Sequence, residues 1–147
     1  MLTTFKAYAK KTPMGLQVET TARNFKFILD EPTELGGSNT GMNPVEALLC
    51  ALGACQTIVA FAFAKKHKIN LDGFKVKLEG DLDPDGFLGL ADVRKGFQEI
   101  RFEMHFKTDA SQQEIEKYAD FIEATCPVGD CLNYGVKLVK SGVVINK

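Results

Sequence analysis

Sulfur carries the reactive chemistry available to this chain. Four cysteines, Cys50, Cys55, Cys126 and Cys131, stand among 147 residues, and a thiolate can serve as nucleophile, metal ligand or redox centre. Four cysteines in a chain of this length do not make a secreted disulfide framework, and a reducing cytosol would keep structural pairs open. They are therefore either buried hydrophobes or working thiols. Cys126 is followed by Pro127; proline suits the first helical position, which puts Cys126 at the N-cap, where backbone N–H groups and the positive end of the dipole favour a thiolate. Cys126 is thus reactive by position. Cys55 lies three turns into a helix, too far along for the dipole, so an activated thiolate there requires an outside cation. Arginine is scarce, with Arg23, Arg94 and Arg101 the only three. Arg101 falls on a charge-paired strand face, and Arg23 is placed at the start of a strand away from it.

Other chemistries find less support. The two histidines, His67 and His105, fall at a helix end among lysines and on the polar face of a strand, so neither a Ser-His-Asp arrangement nor a histidine metal site can be built. Asp81-x-Asp83-x-Asp85-Gly86, with Leu88 and Asp92, imitates a calcium loop, but its flanks read as strands and Pro84 sits among the ligands. An acidic hairpin tip is the expectation. The Gly-rich run from Asp30 to Asn43 precedes a helix without the Lys-Ser/Thr of a phosphate loop, and reads as a mobile loop near the site. A net charge of −1 supplies no basic footprint for nucleic acid, which leaves a small molecule or a protein as partner. The N-terminus shows no signal peptide, and the expected location is the cytoplasm.

The elements that position the cysteines emerge from patterning. Residues 43–68 read as one long helix: Asn43 caps it, Pro44 takes the first position, Glu46 completes a capping box, and Lys65, Lys66, His67 and Lys68 meet the negative end of the dipole. From Ala47 to Ala64 no residue is charged, so the helix must be covered on all sides, as a core helix or a membrane span. Those residues reach roughly 27 Å, marginal for a bilayer core, and the small side chains Ala47, Ala51, Gly53, Ala54 and Ala60 suit close packing against other backbones, a partner subunit's included. Before the helix, residues 2–29 read as an antiparallel meander; after it, Phe74 to Glu79 and Ile100 to Lys107 alternate as two half-buried strands. Ser111 and Glu114 form a capping box for a helix with a stripe of Ile115, Tyr118, Ala119 and Ile122. A second helix starts at Pro127, and a last strand is expected over Lys137 to Ile145. Hydrophobic content of 45% suffices for one domain over residues 1–147.

The chain resembles the OsmC/Ohr family of thiol-dependent organic hydroperoxide reductases. The resemblance rests on the Gly36-Gly37-Ser-Asn-Thr-Gly41-x-Asn43-Pro44 entry, the run from Glu46 to Cys55, Gly86-Phe87-Leu88-Gly89-Leu90 with Gly96-Phe97, and Cys126-Pro127-Val128. It implies an α+β fold in which antiparallel sheets wrap a long central helix in an intertwined homodimer. It further implies that Cys55 is the peroxidatic thiolate and Cys126 the resolving thiol, held by an arginine and a glutamate, here Arg23 and Glu46. No metal, flavin or haem is implied; the partners are an organic hydroperoxide and a dithiol reductant such as a lipoyl protein. The characterised peroxidases carry Glu directly after Asn-Pro, where this chain has Val45. That departure favours the alternative of an OsmC-like binding or sulfur-handling protein without efficient peroxidase turnover.

Overall fold

A computed structural model describes residues 1–147 in two compact units, Met1–Cys50 and Ala51–Lys147. In the first, strands β1 (Tyr8–Lys11), β2 (Val18–Ala22) and β3 (Phe25–Leu29) form an antiparallel sheet in the order β1-β2-β3, with Val18 opposite Leu29 and Ala22 opposite Phe25. The meander is shorter than its sequence pattern, since Met1–Ala7 pairs with nothing. Arg23 is not at a strand start: it occupies the tight β2–β3 turn with φ 56°, one of the left-handed conformations that let such a turn match strand twist.

The Gly-rich stretch after β3 is organised by Asp30, which is buried at 2% exposure. Its carboxylate accepts from the Thr40 hydroxyl at 2.6 Å and from the N–H groups of Glu31, Thr40 and Ser38. These hydrogen bonds, Thr40's first, lower its pKa to about 2 against burial's opposing effect, because each stabilises the charged form. Glycine is required here by close backbone approach. A Cβ on Gly37 would lie 1.9 Å from the Glu31 carbonyl oxygen, and one on Gly41 2.5 Å from that of Ile28. The motif therefore folds the chain back on itself before the helix.

Helix α1 (Pro44–Phe63) begins with the expected box: Asn43 Oδ1 accepts from Glu46 N and Glu46 Oε1 from Asn43 N, both at 2.9 Å. It ends earlier than the expected Lys68, in a turn over residues 64–68. There Ile69 N donates to Ala64 O and Lys68 N to Lys65 O, with Lys68 at φ 57°, the Schellman closure that halts a helix. The boundary between the two units falls within α1, between Cys50 and Ala51.

In the second unit, strands β4 (Leu71–Leu82) and β5 (Phe97–Thr108) pair antiparallel, setting Phe74 opposite Phe106, Val76 opposite Met104 and Leu78 opposite Phe102. The alternating pattern is their half-buried face. Between them the acidic segment is helical and not a plain hairpin tip: α2 (Pro84–Leu88) is capped by Asp83, whose carboxylate accepts from Asp85 N, and closed by Gly89 at φ 73°. Helix α3 (Gln112–Thr125) carries the Ser111/Glu114 capping box. It buries Ile115, Tyr118 and Ile122 against Val59, Ala60 and Ala64, with Ile69 completing the cluster; each large side chain so enclosed contributes roughly 1.5–3 kcal/mol. The Tyr118 hydroxyl donates to the Ala60 carbonyl and ties α3 to α1. A Cβ on Gly53 would come 2.8 Å from Leu78 Cδ1, so glycine lets α1 lie close on β4. Helix α4 (Pro127–Tyr134) comes next. The strand expected over Lys137 to Ile145 does not form: residues 135–147 are exposed and irregular and join neither sheet. Nor is α1 covered all round, since Ala51, Ala54, Ile58, Phe61 and Ala62 are exposed.

Candidate functional site

Two elements of the second unit bring two sulfurs together. Cys55 lies on α1, half-buried at the edge of the arc formed by Leu52, Gln56 and Val59. Cys126 is the N-cap of α4, as its proline neighbour requires, and Gly129 N donates to its Sγ at 3.3 Å. It is 1% exposed. Cys55 is near enough to Cys126 to raise the pKa of its thiol, across 71 residues of chain. A Cβ on Gly129 would meet Cys126 Sγ at 3.6 Å and Leu52 Cδ1 at 3.8 Å, so the first turn of α4 rests on Leu52 beside the pair.

The N-cap does not make Cys126 a thiolate. Burial pushes its pKa up, the hydrogen bond and charge of Cys55 push the same way, and the Gly129 and Val128 N–H groups offset this only in part. A helix N-terminus acts on an anion through a few partial charges, whereas removal from water penalises the whole charge. Cys126 therefore holds its proton more tightly than a free thiol does. A thiol that stays protonated is ill suited to attack first, and it must lose that proton to condense with an oxidised neighbour.

The remaining residues singled out from the sequence have their own local surroundings. Glu46 is engaged in its helix cap. Arg23 is exposed in its turn, its guanidinium carbon 4.8 Å from the Phe25 ring centroid, a cation–π contact that orients it without pairing it to a carboxylate. Arg101 is held by Asp81, Glu99 and Glu79 at 2.7, 2.6 and 3.0 Å on the exposed face of β4–β5, in keeping with the charge-paired face expected for it. Cys50 and Cys131 are exposed. His105 is half-buried, with Nε2 2.6 Å from Glu103 Oε1 but without the alignment of a hydrogen bond. It borders a 610 Å³ groove between β5 and α3 that includes neither sulfur of the pair. Sequence reasoning missed Gln56, fully enclosed beside Cys55 in the chain; its signal was a carboxamide inside an uncharged helical run.

Comparison with known proteins adds the family. The profile of the family described as OsmC-like protein matches residues 37–139. A hydroperoxide reductase of Mycoplasma genitalium is 28% identical over 120 residues, 79% of this chain and 78% of that protein. The crystal structure of an OsmC-like protein from Mycoplasma pneumoniae superposes with a TM-score of 0.79 at 22% identity, covering 91% of this chain and 90% of that one. An organic hydroperoxide resistance protein OsmC from Legionella pneumophila gives a TM-score of 0.68 at 26% identity, covering 92% and 93%. Both sulfurs of the pair, the glycine-rich entry from Gly37 and the α2 segment lie inside the matched span, and the chain belongs to the OsmC-like protein family.

Proposed function

We propose that this chain is a cysteine-based peroxidase that reduces organic hydroperoxides. The observation that carries the reading is the buried Cys126 with Cys55 close enough to raise its pKa. The names of the M. genitalium and L. pneumophila relatives support it. The Cys55 thiolate attacks the distal peroxide oxygen: an S–O bond forms, the O–O bond breaks, sulfur gives up two electrons, and the departing alkoxide takes a proton from water. Cys126 then condenses with the Cys55 sulfenic acid, releasing water and leaving a disulfide that a dithiol such as a lipoyl protein reduces. No cofactor takes part. Arg23 and Glu46 are proposed as the guanidinium and carboxylate that assist the thiolate and orient the peroxide.

The working unit is a cytoplasmic homodimer of single-domain chains. Supporting it is the uncovered apolar side of α1, with Ile58 68% and Phe61 49% exposed, a surface that a second copy would bury. The test is one equivalent of cumene hydroperoxide on the reduced protein. Intact mass should fall by two hydrogens, and peptide mapping should place the disulfide at Cys55–Cys126; two persistent free thiols would refute the reading. A second reading, an OsmC-like thiol-bearing binding or sulfur-handling protein, is favoured by Val45 and by the engagement of the Glu46 carboxylate in its cap. It would form the disulfide once but turn over poorly with a dithiol present.

A further inference from the structure

Two polar side chains are buried in this chain, Asp30 and Gln56. Asp30 is fully accounted for by its four hydrogen bonds. Gln56 is not: it is 2% exposed, and its Oε1 is shut off from solvent without a hydrogen-bond partner. A buried amide oxygen with no donor costs stability, and replacement by an apolar group of the same shape would remove that cost. The residue comes directly after Cys55. On α1 its neighbours one turn away are Leu52, which lies under α4 beside Cys126, and Ala60 in the main core. Gln56 is thus the one polar residue among the buried residues of α1, Leu52, Gly53, Val59 and Ala60 being the others.

We propose that Gln56 is a substrate-binding residue whose carboxamide oxygen accepts the O–H of a hydroperoxide held for attack by Cys55. The inference rests on the peroxidase reading. A hydroperoxide carries its only donor on the distal oxygen, the atom the thiolate takes. When the S–O bond forms and the O–O bond breaks, that oxygen keeps its hydrogen and becomes the sulfenic hydroxyl, while the alkoxide leaves and is protonated by water. One acceptor can therefore hold the same O–H before and after transfer, and it selects hydroperoxides over peroxides alkylated at both ends.

The experiment uses the full chain carrying Cys50→Ser and Cys131→Ser, so that the paired thiols alone remain. Gln56→Met, close in shape and apolar, is compared with the parent for thermal midpoint, for the rate of Cys55 alkylation by iodoacetamide, and for the rate of Cys55 oxidation by cumene hydroperoxide. Gln56→Met should be at least as stable, alkylate at the parent rate, and oxidise about tenfold more slowly, the loss of one well-placed hydrogen bond in an apolar site. Equal oxidation rates would overturn the proposal, as would a matching fall in alkylation, which would mark a general disturbance of the thiol. Gln56→Leu is the second apolar variant, and failure of both to fold would assign Gln56 a purely structural role and overturn it too. A parent that peroxide leaves reduced overturns both this inference and the peroxidase reading; a parent oxidised normally beside an unimpaired variant removes Gln56 alone.

Discussion

Closing the Cys55–Cys126 disulfide should raise stability by an amount that the chain separation sets. The two residues are 71 positions apart, and a cross-link over such a loop removes about 15 cal/mol/K of entropy from the unfolded chain, or about 4 kcal/mol at 25 °C. Cys55 already neighbours Cys126, and the gain is full where the native fold closes the bond without strain. For a chain of this size each kcal/mol moves the midpoint by roughly 2–4 °C, which predicts a rise of roughly 8–16 °C on oxidation. The protein should carry Cys50→Ser and Cys131→Ser, since both thiols are exposed and would otherwise cross-link chains. One equivalent of cumene hydroperoxide is added, and melting is monitored by circular dichroism with and without dithiothreitol. Cys55→Ser should show no dependence on reductant. An oxidised form carrying the mapped disulfide yet melting at or below the reduced one would refute the reasoning, because the sulfurs would then be joined only at the expense of the fold.

Three further outcomes depend on single contacts. Gly37→Ala places a methyl within 1.9 Å of the Glu31 carbonyl oxygen; it should cost about 2–3 kcal/mol in urea denaturation, whereas Gly142→Ala, with nothing within 4 Å, should be neutral. Asp30, with its pKa lowered from 3.8 to about 2, contributes stability that is complete above its ordinary value and is lost as pH falls through about 2. Asp30→Asn should therefore lower the urea midpoint at pH 7, and its difference from wild type should shrink between about pH 4 and pH 2; a constant difference would exclude the carboxylate as its source. Because burial holds the Cys126 thiol above its ordinary value of 9.0, condensation with the Cys55 sulfenic acid should still be accelerating at pH 9, read by stopped-flow, and a plateau below that pH would mean an exposed thiolate.

Local chemistry was the most legible part of the chain. The Asn43/Glu46 and Ser111/Glu114 boxes and the Cys126-Pro127 helix start each depend on residues within one turn, so types and spacing suffice to place them. The long α1 and the alternating β4 and β5 were legible for the same reason, since periodicity reports the buried face directly. Helix α2 was not, because Pro84-Asp85-Gly86 carries turn signals that outweigh five residues of helix, and only the Asp83 cap and the Gly89 closure reveal it. The segment from Lys137 alternates like a strand, but a strand exists only where another edge accepts it, which no local pattern can state. Depth was equally hidden. Nothing near Pro127 shows that Cys126 would be 1% exposed, and that burial reverses the sign of its expected shift.

The reversal changes the division of labour between the sulfurs. Had the N-cap made Cys126 a thiolate, two like charges would face each other, each raising the other's pKa, and neither would be a ready nucleophile. Burial removes that conflict by holding the proton on Cys126. In the proposed cycle, once the sulfenic acid forms, the Gly129 N–H that already reaches Cys126 Sγ at 3.3 Å would be the group that eases its deprotonation for the second step. The helix start would thus act late in that cycle, and Gln56, with no charge to contribute, would act only through the oxygen it holds.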